Sequence, residues 1–338
     1  MRLRTPRWWY RRDRNSMTIT RALLTPFAWV WAALTARRVA RRWRFDPAIP
    51  VICVGNLTVG GSSKTPVVQA IAELARASGR APHVLARGYG GRLRGPVRVD
   101  PSRHGAEDVG DEALMLAADT PVWISRQRAA GAAAAVAAGA GILILDDGHQ
   151  DPTLRKTVSV VVVDGETRLD EWPFGDGAVF PTGPMREPLE DGLARADVIV
   201  IVLPVGLELC DPELLRLFEG KALQIGRLAA CRPPPQGPQV GFAAIAKPWR
   251  MEQALETVGC DLVDFAPFAD HQRISRSSLR FLEARANALG AGLVTSEKDW
   301  VRLPVDWRSK VAAWPVRVNF DDPDAMARAL GIASRRPP

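Results

Sequence analysis

Twelve residues limit the architectures open to this chain more than any others. A short apolar run, Val51-Ile-Cys-Val54, passes straight into Gly55-Asn-Leu-Thr-Val-Gly-Gly-Ser-Ser-Lys-Thr-Pro66, and a helical pattern follows at once. Glycines let backbone N–H groups turn inward around a phosphate, and the next helix adds the positive end of its dipole. In a loop of this kind Lys64 reaches the β- and γ-phosphates of ATP, and the Thr65 hydroxyl ligates Mg²⁺. The nucleotide-cradling set is then Gly55, Asn56, Thr58, Val59, Gly60, Gly61, Ser62, Ser63, Lys64 and Thr65. A tight turn carrying a solvated lysine is the plainer alternative. The loop also departs from the pattern G-x-x-x-x-G-K-[ST], with Thr58 and Ser63 where that pattern has glycine.

The surrounding periodicity agrees with a nucleotide-binding sheet. A helix is expected over Pro66 to Ser78, with Val67, Ile71, Leu74 and Ala75 on one face and Gly79 closing it. Strands are expected at 82–86, 122–125, 142–145, 158–163 and 198–203, and an alanine-rich helix at 129–138. These strands are apolar throughout, as strands covered on both faces must be. The pattern predicts an α/β fold with a doubly wound, mostly parallel sheet over residues 45–228. Arg232-Pro-Pro-Pro-Gln-Gly-Pro238 then reads as a hinge or linker. Strands near 240–245, 262–265 and 292–295, with helices near 251–257 and 277–289, make a second, smaller α/β unit within 229–334.

Asp146 and Asp147 directly follow the apolar strand ending at Leu145. A carboxylate there sits at the carboxyl edge of the sheet beside the phosphate loop, where it can hold a metal directly or through water. Standing alone, Asp-Asp-Gly after a strand is an ordinary turn; its pairing with Lys64-Thr65 makes it a magnesium motif.

Charge is distributed very unevenly. Residues 1–44 contain twelve arginines and one acid, Asp13, a net +11. Subtracting this from the chain's +8 leaves −3 for all that follows. Between the arginine clusters lies an apolar stretch of about fifteen residues, 22–36, holding Pro26, Trp29 and Trp31, with Trp8, Trp9 and Tyr10 upstream. Roughly twenty residues are needed to cross a bilayer, and tryptophan favours the headgroup level. Five arginines follow in place of a small-residue cleavage site, which argues against export. The expectation is a basic, amphipathic segment over 1–44 lying peripherally in the cytoplasmic leaflet, held by apolar burial and by arginine near anionic lipid. A buried helix with solvated arginines is the alternative, and nucleic acid is the weaker partner because the arginines flank an apolar core. Cys53, Cys210, Cys231 and Cys260 are widely spaced and read as reduced thiols.

Seven segments, in order along residues 50–303, resemble the tetraacyldisaccharide 4'-kinase family of lipid A biosynthesis. Residues 55–66 are similar to its G-N-x-T-V-G-G-T-G-K-T-P loop except at Ser62 and Ser63. Ala86-Arg-Gly-Tyr-Gly-Gly91, Val109-Gly-Asp-Glu112 and Asp146-Asp-Gly-His-Gln150 resemble S-R-G-Y-G-G, V-G-D-E and D-D-G-F-Q. Phe180-Pro-Thr-Gly-Pro-Met-Arg-Glu-Pro188, Ala269-Asp-His271 and Thr295-Ser-Glu-Lys-Asp299 resemble L-P-A-G-P-L-R-E-P, P-D-H and T-T-E-K-D.

The resemblance implies an ATP-dependent kinase, with Mg²⁺, that phosphorylates the 4'-hydroxyl of an acylated glucosamine disaccharide 1-phosphate at the cytoplasmic face of the bacterial inner membrane, with no protein partner. It implies Asp111 as the base that takes the hydroxyl proton, with His271 of the second unit as its partner and Lys64 on the phosphates. By its residue type alone, Asp111 reads rather as a helix cap ahead of 112–118. The substrate-binding set implied is Arg87, Tyr89, Glu112, Arg128, Gln150, Arg186 and Glu187. Guanidinium forks suit phosphate, though each arginine alone also reads as a surface ion pair. His149, Asp151 and Gln272 depart from the family pattern, as does Ser63, whose side chain opposes the backbone angle that a glycine would adopt there. A family member silenced by Ser63, and a phosphate-loop ATPase switch bound to a membrane partner, are the rival readings. The absence of an N-K-x-D motif disfavours a GTPase.

Overall fold

The computed structural model describes residues 6–12, 18–60, 63–168, 171–270 and 272–333. Gly61, Ser62 and His271, all expected in the site, lie outside the described residues.

The chain enters through helix α1 (Thr18–Val39) and then alternates strand and helix. In order come β1 (Val51–Gly55), α2 (Lys64–Ala77), β2 (Pro82–Ala86), β3 (Val97–Arg98), α3 (Ala106–Val109), α4 (Asp111–Leu116), β4 (Val122–Ile124), α5 (Arg128–Ala137), β5 (Ile142–Asp146) and β6 (Val158–Asp164). They are followed by α6 (Leu189–Ala194), β7 (Val198–Leu203), α7 (Pro212–Arg216) and β8 (Ala222–Ala230). The next stretch holds β9 (Gln239–Ala243), α8 (Pro248–Thr257), β10 (Leu262–Pro267), α9 (Arg276–Ala288), β11 (Gly292–Ser296), α10 (Glu297–Trp300), α11 (Val305–Arg308) and β12 (Val311–Trp314). Strand β13 (Val316–Phe320) and α12 (Pro323–Ala329) close the described chain.

Nine strands form one sheet in the order β13-β8-β7-β6-β1-β5-β2-β4-β3. The seven inner strands run parallel, and β3 and β13 pair antiparallel at the two edges. Central strands β1, β2, β5 and β7 are buried at every position, which explains their unbroken apolar runs. Strand order reverses around β1, where β5 lies on one side and β6 on the other. Such a switch point opens a crevice beyond the carboxyl ends of the strands, where ligands bind in sheets of this kind.

Strands β10-β9-β11-β12 form a second, all-parallel sheet with its own core of Val240, Phe242, Leu279, Leu282 and Trp307. The division expected at residues 228/229 is not where the sheets divide. That point falls inside β8, and β13 returns to pair with β8 in the larger sheet, Val318 against Leu228. Gln224, Gly226 and Arg227 interrupt the apolar positions of β8 and give it a weak strand pattern, so its pairing with a segment ninety residues away was not legible locally.

Helix α1 is longer than the apolar run within it, because the flanking polar residues are helical too. By length and composition, residues Ile19–Val39 are apolar enough to cross a membrane. Ile19, Leu23, Phe27, Trp29, Val30 and Leu34 are exposed, while Arg21, Ala28 and Thr35, spaced by seven, are buried against the body. The helix is apolar nearly all round, so the amphipathic pattern expected of it is absent. Its contacts with the body include an ion pair, a hydrogen bond and an aromatic contact: Arg21 pairs with Asp176, Trp31 Nε1 donates to the Arg186 carbonyl at 2.9 Å, and the Trp31 ring lies 4.9 Å from that of Phe180.

Candidate active site

The site is built at the crevice from the ends of β1 and β5. Asn56, fully buried just after β1, donates through Nδ2 to the Thr58 carbonyl at 2.8 Å and accepts from Lys64 Nζ at 3.1 Å. One amide therefore ties the front of the phosphate loop to the lysine at its end. Beyond Asn56 the loop pairs with residues 184–186: Val59 N donates to Pro184 O and Arg186 N to Leu57 O, both at 2.7 Å. The proline-rich segment resembling L-P-A-G-P-L-R-E-P is thus the second wall of the phosphate loop. Tyr10, from the segment preceding α1, donates its hydroxyl to Val59 O at 2.7 Å.

Ser63 caps α2 with φ +57° and ψ 27°, the left-handed region where a side chain costs about 1 kcal/mol that glycine avoids. The angle foreseen as a difficulty for a serine is the angle it adopts. Thr65 is buried in the first turn of α2.

Two adjacent carboxylates end β5, and their surroundings push them apart. Asp147 lies 3.8 Å from Lys64 Nζ and 2.8 Å from Arg186 Nη1. Burial pushes its carboxyl up, yet the charges of Lys64 and Arg186 outweigh this and hold it at about 2. Asp146 is buried, and burial together with the carboxylates of Glu112 and Asp147 pushes it up to about 7. Its Oδ1 is enclosed without a hydrogen-bond partner. An enclosed carboxylate oxygen that repels its neighbours is what a divalent cation satisfies. Among the described residues no cluster of three or more His, Cys, Asp or Glu side chains could hold a metal unaided. Magnesium commonly takes one or two carboxylates and draws its remaining ligands from water and phosphate.

The expected substrate residues do not form a single cluster. Arg186, Gln150 and Glu187 form one network: Arg186 Nε donates to Thr58 O at 2.9 Å, and Gln150 Nε2 donates to Asn56 O at 3.0 Å and to Glu187 Oε1 at 2.9 Å. Glu187 is buried and also pairs with Arg195 at 2.5 Å. Arg128 belongs elsewhere. It is buried, and its Nη2 donates to the Asp146 carbonyl at 2.7 Å while Nη1 donates to Leu85 O. It braces the ends of β2 and β5.

Arg87 and Tyr89 follow β2 on an exposed loop that packs on the turn before α4. The packing is intimate: a Cβ on Gly91 would meet Asp108 O at 2.6 Å, and one on Gly110 would meet Tyr89 O at 2.4 Å. Two segments distant in sequence, Arg87–Gly91 and Val109–Glu112, therefore need glycine at the same junction.

Asp111 opens α4, with Gly110 as its N-cap. Cap duty thus falls to the glycine, although Asp111 Oδ1 does accept from Glu112 N at 3.0 Å. Asp111 Oδ2 pairs with Arg302 of the second unit, and Glu112 pairs with Lys298 at 2.8 Å. Neither cation was expected. Lys298 lies inside the Thr295–Asp299 segment that carried the resemblance, which was a signal available in the sequence; Arg302 lies just beyond it.

His149 is a structural residue. Its ring bonds Ser159 Oγ and Gly192 O, both at 2.9 Å, and burial takes it down to about 4, so it is neutral at pH 7. It backs onto β1, where a Cβ on Gly55 would meet its own Cβ at 2.5 Å.

Comparisons with known proteins place the chain in a family. The family model described as tetraacyldisaccharide-1-P 4'-kinase matches residues 20–333. The chain is 59% identical over 331 residues to the tetraacyldisaccharide 4'-kinase of Phenylobacterium zucineum, covering 98% of this chain and 99% of that one. It is 42% identical over 344 residues to the enzyme of the same name from Rhodospirillum centenum, covering 97% and 96%. In structure it is similar to the "apo" form of LpxK from Aquifex aeolicus in complex with ATP, with a TM-score of 0.71 at 23% identity over 92% of this chain and 99% of that one. That last likeness carries the fold. With a family match spanning most of its length and relatives this close, the chain belongs to the tetraacyldisaccharide-1-P 4'-kinase family.

Proposed function

We infer that this protein transfers the γ-phosphate of ATP to the 4'-hydroxyl of a tetraacylated glucosamine disaccharide 1-phosphate, the step of lipid A biosynthesis that forms lipid IVA. The observation that carries the reading is the meeting of Lys64, Asp147 and Arg186 at the carboxyl ends of β1 and β5, in a chain of this family.

Phosphoryl transfer asks for positioning, charge neutralisation and a place for one proton. Lys64, steered by Asn56, draws the terminal phosphates of ATP toward the amino end of α2. Thr65, Asp146 and Asp147 are the residues that would hold Mg²⁺, which would supply positive charge to neutralise the phosphates during transfer. Arg186 carries a second positive charge to the same place. Asp111 accepts the proton of the 4'-hydroxyl as the hydroxyl oxygen attacks the γ-phosphorus and the bond to the β-γ bridging oxygen breaks. His271 supports that base, and Arg87, Tyr89, Glu112, Gln150 and Glu187 complete the site around the disaccharide and its phosphates, with Arg128 bracing the strand ends that carry it. Residues 45–230 with the returning strand β13 form the nucleotide-binding unit, and β9 to β12 form a cap over Asp111.

Helix α1 brings this site to its substrate. Four acyl chains keep the disaccharide in the membrane, and α1 presents exposed apolar side chains flanked by arginines. Contacts at Arg21 and Trp31 hold α1 alongside the body, which suits a helix lying in the cytoplasmic leaflet of the inner membrane.

The test is label transfer from γ-labelled ATP to the acylated disaccharide 1-phosphate in detergent micelles with Mg²⁺, beside Lys64→Ala and Asp111→Ala. Label in the lipid that disappears in both variants is the expected result. Hydrolysis of ATP regardless of lipid would favour a switch, and lipid binding without turnover would favour a silenced family member.

A further inference from the structure

We propose that Arg302 is a positioning residue for the reaction, holding Asp111 at the crevice and linking the base to the second unit. The inference rests on the reading of Asp111 as the base.

Arg302 follows α10, yet its guanidinium is shared between the two units. Nη2 pairs with Asp111 Oδ2 in the nucleotide-binding unit. Nη1 reaches Asp299 Oδ1 at 3.0 Å and Ala244 O at 3.3 Å in its own unit. The side chain is 13% exposed, Asp111 8% and Asp299 fully buried, so the fork works largely out of water. Asp299 is itself fixed, its Oδ2 accepting from Ala244 N at 3.0 Å and from Ser296 Oγ at 2.6 Å. A rigid carboxylate therefore anchors one end of the fork, and the other end meets Asp111.

The chemistry of a base makes this arrangement consequential. A carboxylate that takes a proton in the transition state must present one lone pair toward the hydroxyl, and a small misplacement is costly. Asp111 Oδ1 is already oriented by Glu112 N, and Arg302 orients Oδ2. Together these two contacts fix the carboxylate's rotamer. Arginine is the residue type suited to the task, because its planar fork holds donors in a fixed geometry toward both carboxylates, whereas a lysine ammonium is a flexible point charge. Lys298 on the same element pairs with Glu112, so two successive residues of α4 are held by the second unit. Seating of that unit and alignment of the base are then one event.

The experiment compares Arg302→Ala, Arg302→Lys, Asp111→Ala and the double variant Asp111→Ala/Arg302→Ala in the lipid-phosphorylation assay, with KM for ATP measured for each. The expected result is a kcat at least tenfold lower for Arg302→Ala, an unchanged KM for ATP, and partial recovery in Arg302→Lys. On the Asp111→Ala background, removing Arg302 should change the residual rate less than twofold, because its effect passes through Asp111. A purely structural arginine would lower the rate of Asp111→Ala by the same factor as it lowers the native rate, and that outcome overturns the proposal. So does native kcat in Arg302→Ala. If Arg302→Ala does not fold, the paired variant Arg302→Gln/Asp299→Asn removes the cation together with its buried anchor Asp299 and keeps an amide in place of the fork; its kcat should remain at least tenfold low, and native kcat there refutes the inference. Native kcat in Asp111→Ala would instead remove the reading of Asp111 as base.

Discussion

The two halves of the site are held by different means. On the phosphate side, Asn56, Lys64, Asp146, Asp147 and Gln150 all come from the ends of two neighbouring parallel strands and the helix after the first. Even the partner wall at 184–186 is bonded to the loop through its backbone. On the base side, Asp111 and Glu112 sit on a helix of six residues whose partners, Lys298 and Arg302, arrive from almost two hundred residues away in another sheet. The first half is rigid because a sheet is rigid. The second exists only when two units meet, so it is the half that conformational change can make or unmake. Side chains on the phosphate side can therefore carry catalysis without much stability, whereas those on the base side carry both.

The sharpest test of that contrast is Lys64→Ala. Its contacts are one amide and one long ion pair, so turnover should fall about a thousandfold, on the order of 4 kcal/mol, while the thermal midpoint moves little. Activity and melting measured on one preparation decide it; a large loss of stability would mean that the phosphate half is not self-supporting.

The next largest effect is on pH dependence. His149 titrates at about 4 when folded and near 6.5 when unfolded, so between those values the unfolded chain binds the extra proton. Stability is therefore complete above about 6.5 and declines as pH falls toward 4, by as much as about 3 kcal/mol for this group. His149→Phe should flatten that decline in melting curves taken from pH 7 to pH 5. An unchanged slope would show that the imidazole is not the source.

Lys298→Ala addresses the other half. Glu112 loses its partner across the units while keeping partial exposure, so the cost should be about 1 kcal/mol of stability together with a fall in turnover. Loss of turnover alone, with an unchanged midpoint, would erase the distinction between the halves. The smallest effect expected is that of Ser63→Gly. Relief of the left-handed strain is partly offset by the entropy of the unfolded glycine, leaving about 0.5 kcal/mol or less, with turnover equal or higher. A drop in turnover would mean that the Ser63 hydroxyl has a role of its own.

Much of the phosphate half is legible in the amino-acid sequence. The loop, both aspartates and the strands at 82–86 and 198–203 fall where their local pattern puts them, because each depends on neighbours within a few residues. Arg128 is legible only as a cation, since nothing local says that its guanidinium turns inward to brace two strand ends. The base half is harder still. The resemblance points to Asp111, and no periodicity could indicate that Arg302 would meet it.

Sequence alone determined the parallel sheet, the phosphate loop at its switch point, the paired carboxylates after β5 and the apolar, arginine-flanked start. Each is a matter of side-chain period, backbone freedom or charge within one segment. Tertiary structure decided the rest: that β13 returns to the first sheet, that α1 docks through Arg21 and Trp31, and that a fork from the second unit holds Asp111. Those contacts join residues separated by about ninety to two hundred positions. Their free energy comes from the burial of charge and surface that exists only once both partners are folded.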